Sequence, residues 1–294
     1  MRLLLLSGLV LSALVLGVPL LSYALYLREN ARAGLLPRAR ALCGGRLLWP
    51  LFCAACNSAW SIALVILAYP LGWLPEPQPQ PSVLGGPGGL PPVILTHGLY
   101  HNASAWLLYR RRLRRAGFAD VRTYAYPSFF RSFEAIVEGL VQAVQRAADS
   151  SPTGTVLLVG HSLGGLVVRA ACVREALCGR VAGIVTLGAP HQGSTLAGLL
   201  ALGRLGRGLR PGGEVLEGVR CLPVCSGPAL SLYSPMDGMV LPLSGSLLEE
   251  REKRAGWTEE CLPPLSHVGM LYDRRVAELG AEFLLRAASR RAAP

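Results

Sequence analysis

Between Thr155 and Gly165 the chain reads TVLLVGHSLGG, a stretch that demands a strand, a sharp turn and a helix in immediate succession. Val156, Leu157, Leu158 and Val159 form a continuous apolar run of the kind that makes a buried strand. It runs into Gly160-His161-Ser162-Leu163-Gly164, a G-x-S-x-G sequence. That spacing suits a nucleophile elbow, in which a serine at a tight strand-to-helix turn projects its hydroxyl from the end of a sheet. At Gly160 and Gly164 a Cβ would clash with the neighbouring strand or helix. The helix that follows, through Val167, Val168 and Ala171, aims its N-terminal N–H groups at the reaction centre. Ser162 is thus the candidate nucleophile; the plain alternative is a glycine-rich turn with a solvated serine.

An elbow serine needs a base, an acid to orient that base, and donors for an oxyanion. The chain order associated with such an elbow is serine, acid, histidine. His267, in Leu265-Ser266-His267-Val268-Gly269, follows Ser162 at a suitable distance. His191, in GAPHQGS, lies too close behind the serine for an acid to intervene and reads as a structural residue beside the site. Asp237 follows the apolar strand Ala229 to Tyr233, in a loop at the C-terminal edge of the sheet, and is the candidate acid. Its role is to hold the histidine tautomer and stabilise the imidazolium. Glu214 and Glu217 fall in a polar, Gly-rich stretch and read as solvated charges. The early strand Pro92 to Thr96 leads into His97-Gly98-Leu99-Tyr100, so the backbone N–H groups of Leu99 and Leu163 are the expected oxyanion donors. His97 reads as a brace for that loop.

With these residues in place the chain resembles the bacterial serine lipases of the α/β-hydrolase fold, nearest to the small Bacillus-type secreted lipases, with some features of the Pseudomonas type. The shared segments are ILTHGLYHNASAW, LLVGHSLGG, IVTLGAPHQGS, LYSPMDGMV and LSHVGMLYD, in the family's order over roughly Pro92 to Ala288. The resemblance implies an α/β fold with a doubly wound, mostly parallel sheet, the triad Ser162, Asp237 and His267, and Leu99 with Leu163 as donors. It departs from the Pseudomonas type in lacking that type's acidic calcium ligands. Only Asp273 is near His267, so no metal and no cofactor are expected.

The N-terminus departs further. From Leu3 to Leu27 there is no charge, a length sufficient to cross a bilayer. A second uncharged run, Leu47 to Leu74, carries Trp49, Tyr69 and Trp73 near its ends as interfacial anchors. Asn57, Ser58 and Ser61 interrupt it and suit helix-to-helix contact. Between the runs lie Arg28, Arg32, Arg38, Arg40 and Arg46, which the positive-inside rule places in the cytoplasm. The expectation is a transmembrane hairpin over residues 1–74, a Pro/Gly-rich linker over 75–91 that holds the next domain a few nanometres off the bilayer at most, and a hydrolase domain over 92–294. The catalytic domain then faces the periplasmic side of a bacterial inner membrane. A signal peptide cleaved after Ala24 is the rival reading.

The net charge of +11 comes almost entirely from arginine, and no nucleic-acid motif accompanies it. Arg110, Arg111, Arg112, Arg114 and Arg115 form either a solvated helix face or an attraction for anionic headgroups. Cys261 and one of Cys221 or Cys225 could bridge the acid and base loops; reduced thiols are the alternative. The Leu- and Gly-rich segment Thr195 to Leu209 reads as a helical cover over the serine, with Leu199 and Leu202 as acyl-chain contacts, or else as an ordinary surface helix. Expected helices are Phe133 to Ala148, apolar along Ile136, Val137, Leu140, Val141 and Val144, and Asp273 to Ala287. The function these features imply is hydrolysis of carboxylic esters of medium- to long-chain acyl lipids through an acyl-enzyme. An acyltransferase or deacylase with the same triad, and an inactive membrane-anchored binding protein, remain as alternatives. The oligomeric state is open.

Overall fold

The computed structural model describes residues 8, 12–74 and 89–292. Most of the expected linker (75–88) and residues 3–7 and 9–11 of the first apolar run lie outside the described residues.

Six parallel strands form one sheet: β1 (Val93–Thr96), β2 (Val121–Tyr124), β3 (Val156–His161), β4 (Val181–Leu187), β5 (Ala229–Tyr233) and β6 (Trp257–Cys261), in the spatial order β2-β1-β3-β4-β5-β6. The chain leaves β1 for β2 on one side and returns to β3 on the other. The C-terminal ends of β1 and β3 therefore flank the point where strand order reverses, the place where open α/β sheets bind their ligands. β1, β3, β4 and β5 are buried along their whole length, which is why each is a nearly unbroken apolar run.

Two apolar layers enclose the sheet. One is built on the helix Phe133–Asp149, whose Ile136, Val137, Leu140, Val141 and Val144 are buried at helical spacing, and which starts where Ser132 Oγ accepts the Ala135 N–H at 3.2 Å. The other rests on the helices Leu107–Arg115 and Arg274–Ala292. Asp273 Oδ1 caps the latter by accepting the Val276 N–H at 3.1 Å.

The N-terminal region forms helices over Val18–Arg32, Leu36–Leu42 and Leu48–Ala68. Among the described residues one helical stretch, Leu48–Trp73, is long and apolar enough to cross a membrane, with a mean hydropathy of 2.0. The first and third helices pack on each other and on the hydrolase domain. Tyr23 and Tyr26 share a buried cluster with Tyr233, Met236, Leu241 and Leu243. The helices that precede the expected linker touch the hydrolase domain, because their polar side chains find backbone partners in its loops.

The cover segment is corrected. In place of one helix it forms two short ones, Thr195–Leu200 and Gly203–Arg207, broken at Ala201-Leu202, with Gly203 at φ +78°. All eight cysteines are free thiols. Cys225 neighbours Cys172, whereas Cys261 neighbours Cys43 and Tyr233, so a bridge from Cys261 to Cys225 is not made.

Candidate active site

Ser162 sits where β3 gives way to the helix Leu163–Cys172, at φ 55° and ψ −124°. It and Tyr100, in the loop after β1, are the non-glycine residues with positive φ among the described residues. Such backbone strain persists only where the surroundings over-determine it. Here the Ser162 N–H donates to the Leu187 carbonyl at 2.9 Å and its carbonyl accepts the Gly165 N–H at 2.9 Å. The turn is so tight that a Cβ on Gly160 would meet the Gly164 backbone, and one on Gly164 would meet the Thr96 and His97 carbonyls. The first turn of the helix thus lies against the end of β1, and a Cβ on Gly98 would sit 2.9 Å from Ser162 Cβ.

Asp237 and His267, thirty residues apart, are brought together. Asp237 Oδ2 accepts a hydrogen bond from His267 Nδ1 at 2.7 Å, and both side chains are buried. Oδ1 of the same carboxylate accepts the N–H groups of Met239 at 2.8 Å and Val240 at 3.0 Å. The carboxylate is thereby held on both oxygens. An acceptor at Nδ1 fixes the tautomer with its proton there and leaves Nε2 with a lone pair, the form a general base requires. Ser234 stitches the two loops together: its Oγ accepts the N–H groups of Met236 at 3.1 Å and Leu265 at 2.9 Å and donates to the Leu265 carbonyl at 2.7 Å.

The remaining expected residues fall as follows. The Leu99 and Leu163 N–H groups have no backbone acceptor among the described residues, whereas the next N–H, of Tyr100, donates to Ser128 Oγ at 2.9 Å. His97 stacks on Tyr126 with ring centroids 4.2 Å apart; it donates from Nδ1 to the Gly98 carbonyl and accepts the Tyr126 N–H on Nε2. Burial lowers its pKa to about 4. His161 donates from Nε2 to the His267 carbonyl at 3.1 Å, and its ring lies 4.7 Å from that of His267. Burial first, then the neighbouring His267 and His101, holds its pKa well below the usual imidazole range.

His191 lies in a separate buried network. Arg169 Nη1 donates to its Nδ1 at 2.8 Å, so its Nε2 donates in turn to Ser231 Oγ at 2.9 Å, and Arg169 also pairs with Glu252 at 2.6 Å. Ser231 is a buried mid-strand residue of β5, which leaves it no approach for a substrate. Glu214 and Glu217 pair with Arg204 and Arg220 at exposed positions.

Leu199 and Leu202 of the cover are exposed, at 58% and 67%, while Leu205 and Leu209 are buried in the core. The cover is tied to the loop after β1, for the Tyr100 hydroxyl donates to the Leu202 carbonyl at 2.6 Å. A cleft of about 630 Å³ is lined by Leu205 with Phe129, Phe130, Phe133, Val215 and Leu222, and by the charged Arg131, Glu134, Arg174, Arg204 and Glu214. Ser162 does not line it; the stack of Tyr100 on Phe129, 4.5 Å between centroids, joins the cleft to the loop of Leu99.

Sequence reasoning did not find the side chains that reach these loops from the hairpin. Tyr23 Oη donates to the Met236 carbonyl at 2.9 Å and Tyr26 Oη to the Pro235 carbonyl at 2.6 Å. Asn30 Oδ1 accepts the Leu243 N–H at 2.9 Å. Asn57 Oδ1 accepts both the N–H (3.1 Å) and the hydroxyl (2.7 Å) of Ser266, next to His267. The signal for Asn57 was a polar residue in an apolar run; its partner is the hydrolase domain rather than a second helix of the hairpin.

Similar architecture recurs in solved structures. The chain superposes on Aspergillus fumigatus lipase B with a TM-score of 0.59 and 20% identity, covering 70% of this chain and 55% of that one. It thus spans little more than half the length of that protein. On mature Bacillus licheniformis lipase BlEst2 the TM-score is 0.58 and the identity 19%, covering 70% and 96% of the two chains. A Listeria innocua gene product gives a TM-score of 0.53 at 15% identity, covering 66% and 94%. At these identities the likeness is one of fold. No curated protein matches the sequence. Residues 93–288 match the sequence profile of the alpha/beta hydrolase family, and with that span, strand order and elbow the chain belongs to it.

Proposed function

We propose that this α/β hydrolase is a membrane-associated serine lipase or esterase that cleaves carboxylic esters of medium- to long-chain acyl lipids. The observation that carries the proposal is the 2.7 Å bond from His267 Nδ1 to Asp237 Oδ2, with the His267 ring 4.7 Å from that of His161, the residue before a serine held at a strained elbow. His267 Nε2 takes the Ser162 proton as Oγ attacks the ester carbonyl. Asp237 keeps the Nδ1 proton in place and stabilises the imidazolium, which then protonates the leaving alcohol. The N–H groups of Leu99 and Leu163 receive the oxyanion, each donor of this kind lowering the barrier by about 3 kcal/mol. Water activated by His267 clears the acyl-enzyme.

Support for an acyl substrate comes from the Phe129, Phe130 and Phe133 wall of a cleft whose volume lies within the range of ligand pockets and whose rim carries Arg131, Glu134, Arg174, Arg204 and Glu214. Further support comes from the exposed Leu199 and Leu202 of the cover. Membrane attachment through the N-terminal helices, on the extracytoplasmic side of a bacterial inner membrane, belongs to the same proposal and rests on the uncharged runs. A reporter that works only after export, fused behind Pro294, is expected to be active.

The test of the chemistry is labelling by a fluorophosphonate together with a chain-length series of p-nitrophenyl esters, with Ser162→Ala as control. Labelling that survives Ser162→Ala refutes the nucleophile. Ester products formed with an added alcohol, and no free acid, point to acyl transfer.

A further inference from the structure

Resting on the membrane reading above, we propose that Leu48–Trp73 lies along the hydrolase domain and seats it directly on a bilayer leaflet, its outer face in the lipid and its inner face on the catalytic loops. The two faces of this helix differ sharply. Pro50, Ala54, Ser58 and Ser61 are buried at helical spacing, whereas Leu48, Trp49, Phe52, Trp60 and Leu67 are each more than half exposed. The exposed face continues through Trp73, at 75%. So large a continuous apolar surface on one side of a helix needs a cover.

The inner face touches the hydrolase domain over nearly the whole helix. Leu51 and Ala54 join the cluster of Tyr233, Met236 and Leu241; Asn57 bonds Ser266; Val65 packs on the second core layer; and the Tyr69 carbonyl accepts from Asn102 Nδ2 at 2.9 Å. From Leu51 to Tyr69 is about 27 Å along the axis at 1.5 Å per residue, close to the roughly 30 Å of a hydrocarbon core. Set upright, the helix would stack the acid, histidine and Asn102 loops through the depth of the bilayer, where their backbone groups meet hydrocarbon. Laid in the plane of the leaflet, it sinks only its outer face, as interfacial helices do. This replaces the spanning placement that the charge pattern implies for this segment and sets the Arg-rich turn and the hydrolase domain on the same leaflet, so it rests on membrane attachment and not on the side assigned from the charge pattern.

Charge complementarity identifies the cover as lipid. Arg28, Arg32, Arg38, Arg40 and Arg46 are exposed at the turn of the hairpin, with Glu29 as the single acid among residues 28–46. That excess suits anionic headgroups, and Trp49, Trp60 and Trp73 have the amphipathic rings that settle at a membrane interface. The same seat keeps the acid loop close to the leaflet, because Tyr23 and Tyr26 of the hairpin hold the Met236 and Pro235 carbonyls beside Asp237.

The test is depth-dependent quenching of full-length protein on phosphatidylglycerol-phosphatidylcholine vesicles carrying acyl chains brominated near the headgroup or near the methyl end. The double variants W49F/W60F, W49F/W73F and W60F/W73F each leave one hairpin tryptophan beside the buried Trp106 and Trp257. The seat predicts that all three report the same shallow depth. Trp60 deep with Trp49 and Trp73 shallow overturns it in favour of a span and leaves the membrane reading standing. Absence of quenching and of vesicle flotation, or a concentration-dependent dimer without vesicle binding, overturns both. Trp60→Glu is expected to weaken flotation about tenfold or more while hydrolysis of a soluble acetate ester is kept. Undiminished flotation also overturns the seat.

Discussion

Replacing Asn57 by alanine removes a carboxamide on a helix outside the hydrolase domain, and with it the one oxygen that accepts from both donors of Ser266. Asn57 Oδ1 accepts from the Ser266 N–H at 3.1 Å and from its hydroxyl at 2.7 Å. Ser266 is 1% exposed, so water cannot freely replace those partners. A buried donor stripped of its acceptor costs about 1–3 kcal/mol. Asn57 is itself only half-buried, which places the sum for the two donors near the low end, at about 2 kcal/mol. For a chain of this size that corresponds to roughly 4–8 °C in Tm, at about 2–4 °C per kcal/mol. The assay is a double-mutant cycle in detergent micelles over wild type, Asn57→Ala, Ser266→Ala and the pair, read by thermal unfolding. The hydroxyl bond alone carries a coupling of about 1 kcal/mol, the typical net value of one hydrogen bond. Hydrolysis of a short soluble ester should fall a few-fold in Asn57→Ala, through kcat more than KM, because Ser266 adjoins His267. Strictly additive single changes, each within about 0.3 kcal/mol of independence, would mean that the hairpin does not dock on the histidine loop, and the reasoning would fail.

Asp237→Asn is expected to lower kcat by about four orders of magnitude, since an amide at Oδ2 no longer selects the Nδ1–H tautomer; retained activity together with loss in Glu214→Gln would move the acid elsewhere. His97 is buried with its pKa lowered to about 4, so below the unfolded value near 6.5 the unfolded chain binds a proton that the folded chain does not. Its contribution is therefore present above pH 6.5 and is lost as pH falls towards 4, at up to about 1.4 kcal/mol per pH unit. Urea midpoints across pH 4–7 should fall with that slope less steeply in His97→Gln, and an unchanged slope refutes the assignment. Leu199→Asp, on the exposed face of the cover, should depress long-chain ester hydrolysis far more than acetate hydrolysis; equal loss with intact folding removes it from the acyl path. Gly164→Ala forces a Cβ into the Thr96 and His97 carbonyls and should abolish fluorophosphonate labelling while lowering Tm, whereas labelling at the wild-type rate would contradict the tight elbow.

The sequence by itself determined the four central strands, the elbow and the pairing candidates, because each is a local signal. A strand buried on both faces must be largely apolar, as β1, β3, β4 and β5 are apart from Thr96, His161, Thr186 and Ser231, and an elbow must carry small residues at fixed spacing around its serine. The edge strands left no such mark. β2 reads VRTY and β6 reads WTEEC, each half open to solvent and so free to carry charge. Only the tertiary structure decided that Asp237 and His267 meet, since two loops thirty residues apart are joined through Ser234 and not by any periodicity. It alone decided the fate of the front of the chain. Hydropathy marks Leu48–Trp73 as apolar but cannot say which face is covered. Asn57, Tyr23 and Tyr26 acquire their meaning from carbonyls and amides more than two hundred residues away, and a hydrogen bond of that range has no signature in either partner's neighbourhood.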